Sequence, residues 1–532
     1  MRTIRKFAAA LAALTISGAQ VRAQAAHQHP AGDAEKLGKV SFSTTCEAAV
    51  QPRFERAVAM LHSFWFDEAH RAFDQVANDD PACAMAHWGV AMTLLGNPLI
   101  GQPLPAPRLA AALAAAERAG ALSAKASPRE RGYIDAALAL YRDVGPDRRP
   151  RLAAYEAAMR TLREQNGDDA EAAIFYAIAV VANAPASDLT FARQKHAAEI
   201  LTPLFERQPD HPGLAHYIIH AFDSPQLAGN GLAAARRYAD IAPSAPHALH
   251  MPSHIFTRLG YWDESIATNR RSAAAEPDSN AAVHPMDYMV YAYLQQGRDA
   301  EARKVVERAV QNSDRFYGGI IGYNFAAMPA RYALERGRWA EAAQLRVPTG
   351  APPYVEAVTR FARAIGAARS DQRGQASDEI ARLDSLRDSL KRSGDSYWAT
   401  LVEAQRLAAA AWAARASGDD AAASRLARAG AELEETVEKH PVTPGPLLPA
   451  RELEGDLLLD LGRHADALRS YEKTLEREPN RARALTGAAR AAQLAKNADA
   501  ARKHYAALAK LMDRADPDRA EARAAKAYVK GL

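Results

Sequence analysis

The chain has 532 residues, 67 basic and 63 acidic side chains, a formal net charge of +4, and aromatics at only 7%. Such a length exceeds what one compact core usually covers, so several domains or an elongated repeat array is expected. Basic and acidic residues interleave without the clustered basic stripe of a nucleic-acid binder, which argues against nucleic acid as a partner.

At the N-terminus, Arg2, Arg5 and Lys6 precede an apolar stretch from Phe7 to Ile16, and small residues follow around Val21, Ala23 and Ala25. That order reads as a secretory signal peptide over residues 1–23, too short to span a membrane as a final structure. A disordered leader over 24–40 is expected next, and its "AHQHP" (from Ala26) reads as an unstructured histidine-bearing tail. No later segment approaches 18 uninterrupted apolar residues, so the mature protein is expected to be periplasmic or secreted with no transmembrane segment.

Alanine-rich runs such as "AALAAAERAGALSAKA" (from Ala111) predict an all-α chain. The first repeat unit lies in "FERAVAMLHSFWFDEAHRAFDQVANDDP", with Ala57, Ala69, Phe73 and Pro81 at helix-hairpin spacing, and the aromatics Phe64, Trp65, Phe66 and Trp88 read as inter-repeat core. Cys46 and Cys83 lie 37 residues apart and are either a disulfide or two buried thiols. Stretches from Pro98, Asn183 and Arg346 read as lengthened loops. In the centre, Pro209, Pro243 and Pro277 recur at intervals of 34, while Pro212 and Pro246 mark two helix starts at the same interval. Proline ends a helix because it cannot continue the i to i−4 ladder. "GNGLAA" (from Gly229) matches a dinucleotide fingerprint formally, but no strand precedes it and it reads as a turn with a helix start.

"HPVTPGPLLP" (from His440) is expected to join an irregular array over 41–440 to a regular one over 441–532. The regular part holds units at about 448–481 and 482–515, with a capping helix after Pro517. In the first unit Gly455, Leu458, Gly462, Ala467, Tyr471 and Pro479 fall at the small, large, turn, small, aromatic and terminating positions of a 34-residue repeat.

On these residues the chain resembles tetratricopeptide-repeat proteins over most of its mature length. The resemblance implies an α-solenoid of helix-turn-helix repeats. More narrowly, "LHSFWFDEAHRAF", "DPACAMAHWGVAM", "HYIIHAFDSP", "HALHMPSHIFTRLGYWDESIATN" and "PGPLLPARELEGDLLL" are similar to phrases shared by a group of exported bacterial proteins. That group has a histidine–asparagine phrase where this chain reads "GYNFAAM" (from Gly322), so no role is carried over to that position.

Two pairs of histidines, His216 with His220 and His250 with His254, repeat at an interval of 34. In tetratricopeptide arrays these positions face the concave groove. Residues four apart share one helix face, so four imidazoles can converge between neighbouring helices, and His284 or Asp287 joins them according to the register of the next unit. The metal-ligand candidates are His216, His220, His250, His254 and His284; His247, Asp223, Asp287 and Arg258 are candidate ligand-binding residues beside them, and Asp223 could orient an imidazole. Paired histidines at i and i+4 hold transition metals, but the glutamate base of zinc proteases is missing between them. Imidazole suits zinc, copper or iron. Two functions follow: an exported scaffold whose groove binds a protein, peptide or small ligand, or a metalloprotein built on the histidines. No GxSxG, CxxC or phosphate loop accompanies them.

Overall fold

The repeat spacing builds antiparallel helix pairs. The computed structural model describes residues 35–100, 104–142, 148–277, 279–311 and 319–531, and contains helices and no strand among them. Helices Gln51–His62 and Phe66–Asp79 form the first pair, and consecutive helices go on packing side by side to Ala520–Lys530. The chain is an all-α solenoid of tetratricopeptide-type helix hairpins.

Small residues let each pair close. Ala57, Ala69 and Phe73 are fully buried, and a Cβ added at Gly89 in the next helix would lie 2.3 Å from the Phe73 ring. The C-terminal units repeat the device, with the Tyr471 ring between Gly455 and Gly487. Helix starts are capped where the sequence offers a partner: Ser127 and Glu130 form a reciprocal capping box, and Asp169, Asp395, Asp419 and Asn497 accept from first-turn amides.

Helices end at Arg207, Ile241 and Ala275, two residues before Pro209, Pro243 and Pro277. Pro212 and Pro246 open the helices that follow. Pro252 breaks the second of these into Pro246–His250 and Pro252–Arg258 by removing a ladder donor. "GNGLAA" is a turn leading into the helix Leu232–Ile241.

The signal peptide and the "AHQHP" tail lie outside the described residues. The leader is not disordered to residue 40: the Lys36 amide donates to Ser244 Oγ at 2.9 Å, that of Lys39 donates to the Asp210 carbonyl at 3.0 Å, and Leu37 is buried. Apolar Leu37 and Phe42 give this extended segment a core to enter. Cys46 and Cys83 are joined in a disulfide, with Cα atoms 4.8 Å apart.

The proline-rich stretch after His440 does more than join arrays. Val442, Leu447 and Leu448 are buried, and the fully buried guanidinium of Arg331 donates to Thr443 Oγ1 (2.5 Å) and to the carbonyls of Gly445 (2.7 Å) and Pro446 (2.8 Å). Beyond it the chain returns to the central repeats. Trp262 Nε1 donates to the Asn480 carbonyl at 3.0 Å, and the Asp516 amide donates to the Gly297 carbonyl at 2.9 Å. Gly260 makes this return possible: its φ is +68°, and a Cβ there would sit 2.3 Å from the Pro479 carbonyl oxygen.

Candidate functional site: two histidine triads

The helix Pro212–Phe222 carries His216 and His220 on one face, and the broken helix beside it carries His247, His250 and His254. The next helix, Val283–Gln295, adds His284. The 34-residue register continues into this helix, so His284 packs on His250 with ring centroids 4.5 Å apart and Tyr288 on His254 at 5.2 Å. Packing divides the six imidazoles into two triads, His216–His220–His247 and His250–His254–His284, each with ligand atoms within 4.8 Å of one another. His247, read from sequence as a ligand contact, is therefore the third member of the first triad.

Hydrogen bonds to the outer nitrogens set the tautomers. His216 Nδ1 donates to the His62 carbonyl at 2.6 Å. His250 Nδ1 donates to Asn269 Oδ1 at 2.6 Å, and the Asn269 amide is itself fixed by donating to the Ser265 carbonyl at 2.7 Å. His254 Nδ1 donates to Asp223 Oδ2 at 2.8 Å. Each ring so held turns the lone pair of its Nε2 inward. In the first triad His216 Nε2 lies 3.0 Å from His220 Nε2 and 3.2 Å from His247 Nε2. In the second, the Nε2 atoms of His250 and His254 are 3.0 Å apart. Two neutral imidazoles fixed in this way have no hydrogen to share across that gap, and only a cation between them turns repulsion into attraction. The buried Nδ1 of His284 has no hydrogen-bond partner among the described residues.

A proton is a poor candidate for that cation. Burial, and then the neighbouring rings, holds His216, His220, His247 and His284 well below the ordinary histidine range. His250 is pushed down to about 3 by burial and by His254. For His254, burial outweighs the pull of Asp223, and its basicity also falls.

Around the triads lies a polar frame. Burial alone would raise the Asp223 carboxyl, but Lys439, Arg258 and His254 together hold it well below the usual carboxylate range. Arg258 Nε donates to Asp223 Oδ1 at 2.8 Å and its Nη2 pairs with Glu438 at 2.8 Å, while Lys439 Nζ donates to Asp223 Oδ2 at 3.2 Å. Arg258 thus supports the imidazole frame through Asp223. Asp287 stands apart, in a buried pair with Arg331 at 3.0 Å and accepting from Asn324 at 3.2 Å. The expectation of a ligand contact there gives way to a structural charge pair, because Arg331 needs a buried counter-ion.

Three contributors come from the first repeat or its neighbours and carry no local signal. Phe64 lays its ring against His216 (4.4 Å), His247 (5.4 Å) and His220 (5.9 Å), from a left-handed backbone conformation with φ of 53°. His62 supplies the carbonyl that orients His216, and its own ring is clamped by Glu171 (2.8 Å) and Tyr217 (3.0 Å). Glu171 also accepts from His211 Nε2 at 2.8 Å, so this carboxylate is satisfied on both oxygens.

Comparison with protein families and with curated proteins finds no match. Among solved structures, a crystal structure of the yeast Tom70 is similar with a TM-score of 0.34 and 10% identity, covering 91% of this chain and 95% of that one. A structure of Naa15/Naa10 bound to HypK-THB is similar with a TM-score of 0.24 and 12% identity, covering 87% and 70%.

Proposed function

We propose that this chain is an exported metalloprotein that binds two transition-metal ions, one in each histidine triad, on the inner face of its solenoid. The observation that carries this reading is the facing pair of Nε2 lone pairs on His250 and His254, 3.0 Å apart with both Nδ1 protons already committed to Asn269 and Asp223. Three imidazole nitrogens about 2.0–2.1 Å from a metal in a tetrahedral arrangement lie about 3.3 Å from one another. The spacings of 3.0 and 3.2 Å around His216 are within a few tenths of that. Carboxylate- or carbonyl-bound imidazoles are the usual outer shell of such ions.

A groove that grips a peptide keeps polar side chains free to reach it. Of the four imidazoles at the positions expected to face the groove, those of His216, His250 and His254 have their outer nitrogens spent on the His62 carbonyl, Asn269 and Asp223. The scaffold reading therefore ranks second. Export is supported by the N-terminal sequence and by the Cys46–Cys83 disulfide, which an oxidising compartment maintains.

The test is elemental analysis of the mature chain, purified from an oxidising compartment without chelator or affinity histidines. Two ions per chain are expected, falling to one in His220→Ala and one in His254→Ala, with helicity unchanged. A chain that arrives free of metal and takes up neither zinc, copper nor iron would return the histidines to packing or peptide contact.

A further inference from the structure

Resting on that metal reading, the geometry points to a single dinuclear copper centre that binds dioxygen between the two triads. The two triads abut across two pairs of rings. The rings of His220 and His254, from different triads, are 6.0 Å apart, as are those of His247 and His250. Within the triads the ring separations run from 4.5 Å (His250–His284) to 6.1 Å (His254–His284). His247 closes the first triad and His250 opens the second, and both stand on the five-residue helix Pro246–His250. One turn of backbone would thus set the offset between two bound ions, and rings this close across the triads place both ions within reach of one small bridging ligand.

The choice of copper comes from the charge and type of the ligands. Every ligand atom is an imidazole nitrogen, with no carboxylate or thiolate in either triad. Mononuclear non-haem iron in oxygenases takes a carboxylate beside two histidines, and among divalent ions copper(II), the oxidised state of such a centre, stands highest in the affinity order. The surrounding charges cancel: Asp223 and Glu438 are matched by Arg258 and Lys439. A buried pocket with a neutral lining favours the ions of lowest charge. Two copper(I) ions add two positive charges where two zinc ions add four, and copper(I) is satisfied by three nitrogens.

Dioxygen suits the same pocket. Each copper(I) gives up one electron, dioxygen takes both and becomes a bridging peroxide dianion, and two copper(II) ions result. No proton is required, and the net charge of the buried centre stays the same. Release of dioxygen reverses the transfer. His247 and His284 are the two ligands that are only half-buried, which leaves the small apolar gas a path to the ions.

The full mature chain would be loaded with copper(I) under anaerobic conditions, analysed for stoichiometry, then exposed to dioxygen. Expected are two copper ions per chain, uptake of one dioxygen per pair, an oxygen-isotope-sensitive O–O stretch, and no copper(II) paramagnetic resonance signal, because the two spins couple through the bridge. His284→Ala should hold one ion and, once oxidised, give the resonance signal of an isolated copper(II). If that variant fails to fold, mixed loading of the parent chain with one copper and one zinc supplies the same isolated signal. A parent chain that binds two coppers but shows two isolated signals, or ignores dioxygen, overturns this inference and leaves the metal reading standing. A chain that takes two zinc ions and refuses copper does the same, whereas a chain that binds no metal defeats both.

Discussion

His250 gives its Nδ1 proton to the Asn269 side chain across 2.6 Å, and Asn269 is locked in that orientation by its own bond to the Ser265 carbonyl. The inward direction of the His250 lone pair therefore depends on a residue that sits on the following helix and is not itself a ligand. Replacing Asn269 by leucine should lower metal affinity by about 10–100-fold, read by competition with a chromophoric chelator. Asn269→Asp, which still accepts the proton, should retain most of it. Equal affinity in the parent and the leucine variant would show that the tautomer is fixed in some other way.

Phe64 covers the first triad from a left-handed backbone conformation that an L-residue adopts at a cost. In Phe64→Gly the backbone relaxes while the ring's half-buried contacts are lost, and these effects oppose each other, so stability should change by no more than about 1–2 kcal/mol. Metal should leave much faster once the cover is gone. Stopped-flow transfer to a chelator measures this directly, and an unchanged off-rate would remove Phe64 from the site.

Gly487 is a packing requirement of the C-terminal units. A Cβ there would lie 2.2 Å from the Tyr471 ring, whose hydroxyl is tied to Asp456 at 2.7 Å. Gly487→Ala should destabilise by about 1–3 kcal/mol through overpacking. Adding Tyr471→Leu should recover part of the loss, because the ring that collides is no longer there. Denaturant melts of the two single variants and the double variant give the coupling, and simple additivity would refute the steric account.

Glu434 accepts the Ala450 amide at the start of the helix Ala450–Asp460, and burial raises its carboxyl from the usual 4.5 to about 7. A folded-state value above the unfolded one means that its contribution is fully present below pH 4.5 and is lost as pH rises through about 7. Glu434→Gln keeps the acceptor without the charge. Relative to the parent, the variant should therefore gain thermal stability between pH 5 and pH 8, in a pair of melts at each pH. A constant difference would mean that Glu434 titrates normally.

Local chemistry was readable from the sequence, and long-range chemistry was not. The 34-residue interval set His216, His220, His250 and His254 on facing helices, and one of its two possible continuations set His284 on His250. The grouping of His247 with His216 and His220 was not legible, because those partners belong to the preceding helix, while in the chain it is close only to the other triad. Asp287 looked like a ligand because its buried partner, Arg331, lies 44 residues further on. Phe64 and the His62 carbonyl reach His216 across about 150 residues of chain, a distance that no periodicity reports. The stretch after His440 was legible as proline-rich, but its burial depends on Arg331, whose own sequence context shows only a helix.

The return of the C-terminal units onto Gly260 and Gly297 changes the mechanics of the array. An open solenoid exchanges contacts only with its neighbours, so it frays from its ends and unwinds one unit at a time. Here Asn480 bonds to the turn at Gly260 and Asp516 to Gly297, so a unit near the end of the chain is also a neighbour of units in its middle. Drawn apart by its two ends, such a chain cannot peel; the clasp at Gly260 must open before the helices behind it feel the load. The helices between Gly297 and Asn480 are shielded in this way, whereas the histidine helices Pro212–Phe222 and Pro252–Arg258 precede Gly260 and share the load from the first pull.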